Sequence, residues 1–408
     1  LLLLVGLWLV SSSFMQTKII KSITQDFKFK TKQEFSIQKV SLKWNGKLQL
    51  SDFYIEDHHG DTLLYAKEFK TSILDFKKLS DSDLDLFTIE ASQVYFNLKK
   101  YVNEETHSLK ILIDKLKKDT PQKNKFLLKS SSVEISKGHF VYNDLSKDSS
   151  LTTNLSNIEL LGSDLIYKEE HIDVALESLN GFLISPKELP VSLKGIMHYE
   201  PGILAIDSLE LESDLNRFKG ALTLTGKDNT LKNVFTSGSV KLVISEGSLH
   251  VGDFLEKPSY FKNMDTFAIS LTAEGPLNEL KFKNVKIANE AVSFDGSLDV
   301  QHLLDPEKPN FLLDIESMEI LTASFAEHIP NLEKNNNRYL ELLEKIQFSG
   351  SISSTTKGLN LALLSTNGWG DFSLSGGIGM GFLENQDKNR SFDLSVNLQD
   401  VSLGKFLT

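Results

Sequence analysis

The sequence contains no cysteine, and this absence excludes disulfide bonds, thiolate nucleophiles and cysteine-based zinc sites. Basic residues are in the minority, since 44 Lys and Arg against 55 Asp and Glu give a formal net charge of -11. A nucleic-acid partner needs a basic surface and is therefore not expected. Proline is also scarce, with 9 residues in 408, whereas phenylalanine occurs 26 times. Few prolines and many aromatic residues favour long, uninterrupted β-sheets with an apolar face.

Motifs that place catalytic groups are missing as well. The sequence has no Gly-x-Ser-x-Gly segment, and in Leu209-Glu210-Leu211-Glu212 the carboxylates alternate with leucines, as in a strand with one solvated face. The glycine-rich run at residues 376–381 superficially resembles a phosphate-binding loop. However, strand alternation from Phe372 and Leu374 continues into it and no helical pattern follows, so glycine positions in a strand are the better interpretation. We therefore expect neither an enzyme nor a bound cofactor.

What the sequence does contain is a recurring apolar pattern. Leu48 and Leu50 alternate with polar residues, two positions are skipped, and Phe53 and Ile55 resume the alternation. Such alternation predicts a strand with one apolar face, and the skip preserves that face only if the strand is bulged or bent. The pattern recurs without a fixed period at residues 35–42, 84–91, 204–211, 280–287, 313–320 and 396–403. We expect bulges or bends at the skipped pairs Ser51-Asp52, Asp207-Ser208, Lys283-Asn284 and Gln399-Asp400.

A candidate metal site lies at Asp57-His58-His59-Gly60-Asp61. Adjacent histidines flanked by aspartates could bind a metal ion, but adjacent residues on a strand project to opposite faces. No further His/Asp cluster follows at metal-ligand spacing. An Asp-x-x-Gly-Asp sequence also satisfies the backbone of a tight turn, and Gly tolerates the positive φ that such a bend needs. The segment is therefore interpreted as a turn, and no metal site is predicted.

The chain begins with an apolar run, residues 1–10, followed by three serines. A transmembrane helix needs about 20 apolar residues, so the run can be the remainder of a membrane anchor, the core of a cleaved signal peptide, or a buried helix. An amphipathic helical pattern over residues 15–27, with Ile19, Ile20 and Ile23 on one side, favours the anchor. We predict a truncated anchor helix at residues 1–28 and a β domain at residues 29–408.

The β domain is predicted to be all-β and mostly antiparallel, with two helical interludes. Helical spacing appears at residues 103–118, which we expect to brace one end of a sheet or, alternatively, to touch a membrane surface, and at residues 324–345. A hairpin is expected around Gly275-Pro276, and a turn at Lys137-Gly138. The apolar face must be hidden either between two packed sheets or inside a curled sheet that covers another molecule, and the pattern leaves both open.

Three segments resemble the amino-terminal part of TamB-type proteins, in the AsmA-like superfamily of bacteria with two membranes. Their sequences are IEDHHGDTLLYAKEFKTSILDF (residues 55–76), NELKFKNVKIANEAVSFDGSLDVQHLLDPEKP (residues 278–309) and SFDLSVNLQDVSLGKFL (residues 391–407). The order and combination of the three segments are more specific to this family than any single segment is. Because the family's conserved carboxy-terminal domain is not recognisable here, we interpret the chain as an amino-terminal fragment.

The resemblance implies an elongated, curled sheet that forms a U-shaped apolar trough (a β-taco), anchored in the inner membrane by a single span, with its bulk in the periplasm. It implies a conduit for phospholipid between the inner and outer membranes and an outer-membrane barrel protein as partner. The alternative is a scaffold for the assembly of outer-membrane proteins. The residues expected to line the lipid groove are Leu48, Leu50, Leu209, Leu211, Leu222, Leu224, Phe267, Ile269, Leu271, Phe282, Phe294, Leu298, Leu313, Ile315, Phe348, Leu361, Phe372, Leu374 and Leu394.

Overall fold

The chain divides into two units, Leu1–Asp214 and Leu215–Thr408, which are described separately. The computed structural model describes residues 24–25, 27–42, 47–73, 83–117, 127–145, 151–185, 187–229, 231, 234–250, 266–303, 310–326, 344–355, 358–367, 370–379 and 391–402. Strands dominate both units, which confirms the predicted all-β class.

Within the described residues, the first unit has nine strands, each paired with the next one along the chain. Their bounds are β1 (Phe35–Leu42), β2 (Lys47–Glu56), β3 (Thr62–Ile73), β4 (Asp83–Lys100), β5 (Leu127–Asp144), β6 (Leu151–Lys168), β7 (His171–Ser185), β8 (Lys187–Glu200) and β9 (Ile203–Ser213). All of these pairs are antiparallel except β4–β5, which is parallel.

The helix α1 (Ser108–Lys117) lies between β4 and β5 in sequence and explains the parallel pair. A parallel connection needs a crossover of a dozen or more residues, usually helical, because the chain must return to the end at which it started. Leu112 of α1 is buried, and Lys115 Nζ donates to the carbonyl oxygen of Thr31 at 3.1 Å. The helix begins five residues later than the predicted 103–118, and its packing supports the bracing role expected for it.

The described part of the second unit has ten strands, again paired in sequence order, and every pair is antiparallel. Their bounds are β10 (Asn216–Thr225), β11 (Ser239–His250), β12 (Thr266–Pro276), β13 (Glu279–Ala288), β14 (Val292–Gln301), β15 (Asn310–Leu321), β16 (Lys345–Thr355), β17 (Gly358–Asn367), β18 (Gly370–Gly379) and β19 (Phe392–Gln399). Short helical segments are a 3₁₀ turn (Lys227–Asn229), α2 (Val234–Ser237) and α3 (Thr322–Ala326). The predicted hairpin is confirmed as β12–β13, with its turn just after Pro276.

The predicted bulges and bends are confirmed at all four skipped pairs. The second residue of each pair has a left-handed backbone, with φ of 50° at Asp52, 50° at Ser208, 51° at Asn284 and 55° at Asp400. At Asn284 the register of β13 against β14 shifts between Phe282 and Val285. One residue is thereby added to β13, so that apolar side chains on both sides of the skip project to the same face. Asp and Asn tolerate this conformation better than other non-glycine residues.

Two sequence predictions about local structure were wrong. Lys137-Gly138 is not a turn: β5 runs through it, and Lys137 takes up a left-handed φ of 52° inside the strand. A polar residue followed by glycine marks a bulge as well as a turn, which is why the pattern misled. Lys345, placed in the second helical interlude, instead begins β16, while α3 begins at Thr322. The rest of that interlude, residues 327–343, lies outside the described residues.

The predicted membrane anchor falls mostly outside the described residues, which start at residue 24. The described residues at the end of the predicted amphipathic helix, 24–25 and 27, are helical, and the helix extends beyond the prediction to residue 31. Phe27 packs against Phe35 of β1, with ring centroids 4.8 Å apart. Within the described part of the chain, helices are too short or too polar to span a bilayer.

Candidate functional site

A continuous row of apolar side chains crosses the first unit. Residues paired directly across a ladder project to the same face, so the register can be followed from strand to strand. The row takes one residue from each strand β1 to β9, in the order Val40, Leu50, Phe69, Ala91, Ile135, Leu160, Leu179, Leu193 and Leu211. Every member is apolar, and every member is partly exposed.

A second apolar row crosses β1 to β8 on the same face. It consists of Phe35, Ile55, Leu64, Phe96, Phe140, Leu155, Leu183 and Leu189. The rings of Phe96 and Phe140 contact each other, with centroids 5.7 Å apart. The left-handed residue Asp52 keeps Leu50 of the first row and Ile55 of the second on one side of β2. The apolar face therefore includes at least two residues of each strand from β1 to β8.

The second unit repeats this arrangement across all of its strands. Its first row is Leu222, Leu242, Ala273, Phe282, Leu298, Leu313, Ile352, Leu361, Gly376 and Leu394. Its second row is Phe218, Gly247, Ile269, Ile287, Phe294, Met318, Phe348, Ser365, Phe372 and Leu398. Phe294 of the second row and Leu298 of the first row are an even number of residues apart on β14, which has no bulge of its own. Their side chains therefore project to the same face, and so do the two rows.

The opposite face of each unit carries a polar row across some of its strands, beyond which the row continues with the exposed leucines Leu161 in the first unit and Leu312 in the second. In the first unit, Gln49, Lys70, Glu90 and Glu134 are paired in register across β2 to β5. In the second unit, the corresponding row is Lys241, Glu274, Lys281 and Asp299, in which the sign of the charge alternates from strand to strand. Opposite charges across neighbouring strands stabilise a solvated face. Across β2 to β5 and β11 to β14, one face is thus solvated and the other is apolar.

The apolar face is not covered by a second layer within the described residues. If two sheets packed together, the inner-face side chains would be fully buried, because protein interiors are close-packed. Here, among the members of the two first-unit rows, Phe35 alone is buried, and Phe35 contacts Phe27. In the second unit, Ala273 and Ser365 are buried, whereas Leu394 and Leu398 on the last strand are 38% and 54% exposed. The apolar face is therefore open to a partner.

Every residue predicted to line the groove lies on the apolar face of its own unit, either in one of the rows or by alternation with a row member. Leu209 and Ile315 are buried, so these two side chains are not open to a partner. That the others contact lipid stays a prediction. Sequence reasoning missed most of the first-unit rows, including Phe69, Ile135, Leu160, Leu179 and Leu193. The same signal could have found them, since Leu176 and Leu179 flank a skipped pair where β7 shifts register against β8.

The glycine-rich run is part of strand β18, as predicted, as far as Gly379. Gly376 has a φ of 136°, and a Cβ there would overlap the carbonyl oxygen of Asp393 on β19. Glycine at this position allows the close approach of two strands, and it contributes no side chain to the apolar row. Residues 380–381 lie outside the described part of the chain.

The segment from Asp57 to Asp61 forms a turn, which confirms that interpretation. Asp57 Oδ1 accepts hydrogen bonds from the backbone N–H groups of His59 at 2.8 Å and Asp61 at 3.0 Å, and Gly60 has a φ of 86°. Tyr101 donates to Asp57 Oδ2 and Asp61 Oδ2, each at 2.6 Å. Burial, followed by these hydrogen bonds, raises the pKa of the Tyr101 phenol, while the hydrogen bond from Lys99 holds the pKa of Asp61 below its usual value.

The expectation that His58 and His59 project to opposite faces was wrong. His58 and His59 lie in the turn and not on a strand, so their rings are not forced to opposite faces. Both rings reach Glu104, which precedes α1 and is 45 residues or more away in sequence. Burial raises the pKa of Glu104, the hydrogen bonds from His59 and His58 lower it, and the net shift is downward.

No family model, curated protein or solved structure matches this chain. The resemblance to TamB-type proteins therefore stays a prediction. The open apolar face is the structural feature from which a function can be inferred.

Proposed function

We propose that the protein is a non-enzymatic conduit for phospholipid, whose acyl chains lie on the apolar face while the head groups stay in water. The observation that supports this proposal is the continuity of the apolar rows. Neither of the first-unit rows contains a charged or polar side chain, and Ser365 is the one polar member of the second-unit rows. An apolar face that is open and this extensive marks an interaction site.

The chemistry of the rows favours acyl chains over a protein partner. Protein interfaces combine a buried apolar centre with directed hydrogen bonds, about one per 100–200 Å². The rows offer aliphatic and phenyl groups without such donors and acceptors. An acyl chain needs no hydrogen bonds, so an unbroken apolar surface is sufficient to hold it. The occupant to which we commit is therefore the hydrocarbon part of a phospholipid.

The rows are long enough for lipid to move along them. Strands in a sheet are about 4.8 Å apart, so a row across the nine strands of the first unit extends over roughly 40 Å. A bilayer core is about 30 Å thick, so the chains of one leaflet extend over about 15 Å. An acyl chain aligned with a row thus occupies less than half of it and can shift along it.

Movement along the rows requires that no position traps the chain. Burial of each acyl methylene stabilises the bound state by about 0.8 kcal/mol, wherever along the row it occurs. Because successive row members have similar apolar character, neighbouring bound positions have similar free energies. A charged residue in the row would break this uniformity, since an unpaired charge in an apolar environment is costly.

The cellular setting that we propose follows from the family resemblance. The protein would be anchored in the inner membrane by the segment at residues 1–28, with its bulk in the periplasm, and would bend into a U-shaped trough. Phospholipid would pass between the inner and outer membranes, with an outer-membrane barrel protein as the distal partner. The competing function, a scaffold that pairs with strands of outer-membrane client proteins, depends on a free sheet edge instead of the apolar face.

Site-specific photo-crosslinking separates the two functions. A photoreactive residue is placed at Leu298 on the apolar face or, as a matched control, at Asp299, the next residue on the polar face. The purified chain is incubated with phospholipid vesicles, irradiated and analysed by mass spectrometry. The conduit predicts phospholipid adducts at Leu298 and few at Asp299. Equal labelling at both positions, or adducts to protein strands alone, would contradict it.

A further inference from the structure

We propose that His58, His59 and Glu104, the His–Glu cluster, form a binding site for a divalent transition-metal ion of the zinc class. His58 Nε2 lies 2.7 Å and His59 Nε2 lies 2.9 Å from the same carboxylate oxygen, Glu104 Oε1. The potential ligand atoms of the three residues all lie within 4.8 Å of one another. Metal binding at this cluster does not depend on lipid binding at the apolar face.

The backbone fixes both histidines before any ligand arrives. The turn is closed by the backbone hydrogen bond from Asp57 N to Asp61 O at 2.7 Å and by the aspartate side chain described above. The ring of His59 packs on Tyr101, with centroids 3.9 Å apart, and the rings of His58 and His59 lie 4.4 Å apart. Since Tyr101 is also hydrogen-bonded to the turn, the imidazoles are held in place at little further entropic cost.

Glu104 is held near the turn from the other side. It follows the end of β4, and its backbone N–H donates to the carbonyl oxygen of Tyr101 at 3.2 Å. Its second carboxylate oxygen, Oε2, is buried and has no hydrogen-bond partner. A buried acceptor without a partner is unfavourable, and a coordinated cation would satisfy it.

The donor set indicates the class of cation. Two imidazole nitrogens and a carboxylate suit zinc and its neighbours, whereas calcium and magnesium prefer oxygen ligands alone. Zinc binds nitrogen at about 2.0–2.1 Å, so tetrahedral ligand atoms lie about 3.3 Å apart. The two N···O separations would therefore open by about half an ångström from their present values, a change within the reach of side-chain rotation. Three protein ligands leave a fourth position for water.

The metal would join parts of the first unit that are distant in sequence. It would connect the β2–β3 turn to the segment between β4 and α1, where the bracing helix begins. An ion that binds the folded chain and not the unfolded one raises the melting temperature. The alternative is a metal-free arrangement in which both rings simply donate to Glu104, and the experiment distinguishes the two.

The test measures Zn²⁺ binding to the purified 408-residue chain by competition with a chromophoric chelator, with Co²⁺ absorption as a second readout. We expect one Zn²⁺ per chain and the visible absorption of tetrahedral Co²⁺. Both Glu104→Gln and His59→Ala should weaken binding by more than about 100-fold, because even outer-shell partners of metal sites contribute 10–100-fold. The His59 side chain is 47% exposed, so its removal should leave the fold intact.

A matched control uses another histidine paired with carboxylates. His198 Nδ1 lies 2.6 Å from Asp173 Oδ1 and its Nε2 lies 3.9 Å from Asp207 Oδ2. Among the described residues, His198 belongs to no group of three potential metal ligands. His198→Ala should leave Zn²⁺ affinity and the Zn²⁺-dependent rise in melting temperature unchanged. The proposal is overturned if the unaltered chain binds no stoichiometric Zn²⁺, if Glu104→Gln binds as tightly as the unaltered chain, or if His198→Ala removes the binding.

Discussion

The ring of Phe294 lies over Gly296, two residues further along β14. A Cβ placed on Gly296 would come within 2.9 Å of Phe294 Cζ and would overlap the carbonyl oxygen of Asp314 on β15. The register shifts beside Gly296 on both neighbouring strands, β13 and β15. The glycine thus provides room for the bulges, and the aromatic ring covers the gap and restores the apolar surface.

This relationship predicts that Gly296→Ala is destabilising. The added methyl group has no free space and should reduce the free energy of unfolding by about 1–3 kcal/mol, as for other overpacked positions. Gly377→Ala is the matched control, since a Cβ there would meet only ordinary contacts, the nearest being Asn360 Oδ1 at 3.5 Å. Urea denaturation of both variants checks the prediction, and equal stability of the two would contradict it.

The left-handed bulge residues give a second prediction. Asn284 has a φ of 51°, and a β-branched residue is poorly suited to that conformation. Asn284→Val should lower the free energy of unfolding by about 1–2 kcal/mol, whereas Asn284→Gly should be close to neutral. Lys281→Val, at an exposed position in the regular part of β13, controls for the loss of a polar side chain. If Val is tolerated at both positions, the bulge is not constrained as described.

A third prediction concerns the difference between the open face and a packed core. Leu63 is 1% exposed, whereas Leu160, in the middle of the first apolar row, is partly exposed. Leu63→Ala should cost about 2–5 kcal/mol of stability, the usual range for a buried leucine. Leu160→Ala should cost less than about 1.5 kcal/mol, because its side chain gains less from burial. Comparable losses measured by thermal unfolding would indicate that another layer covers the row.

The sequence predicted the strands and their apolar face because both depend on local patterns. The alternation at Leu48 and Leu50 indicates which face of the strand is apolar, and polar pairs such as Lys283-Asn284 indicate the bulge that keeps the apolar residues on that face. The same local reasoning failed at Lys137-Gly138, where the residues that mark a bulge also mark a turn. Only the pairing of β5 with its neighbours on both sides decides between them.

The His–Glu cluster could not be predicted from local patterns. Glu104 is brought to the turn by the path of β3 and β4, and no feature of the sequence around it distinguishes it from other surface glutamates. The parallel pair β4–β5 is likewise a consequence of how α1 returns the chain, which the helical spacing of residues 103–118 did not specify. Both features depend on contacts between residues that are far apart in sequence.

The conduit itself is tested most directly by a single charge on the apolar face. Phe294 is partly exposed and is paired with Ile287 and Met318, so Phe294→Asp places a carboxylate in the path of an acyl chain without removing a close-packed residue. An unpaired carboxylate next to hydrocarbon is costly, and lipid should be excluded. Ser293→Asp, which adds the same charge on the opposite face, is the control.

The decisive measurement is the yield of phospholipid crosslinked at Leu298 in these two variants, together with the yield of folded protein. Our account predicts that Phe294→Asp folds as well as Ser293→Asp but loses most of the crosslinked phospholipid. Loss of folded protein in Phe294→Asp would show that Phe294 belongs to a packed core. Unchanged phospholipid at Leu298 would contradict transport along the apolar face.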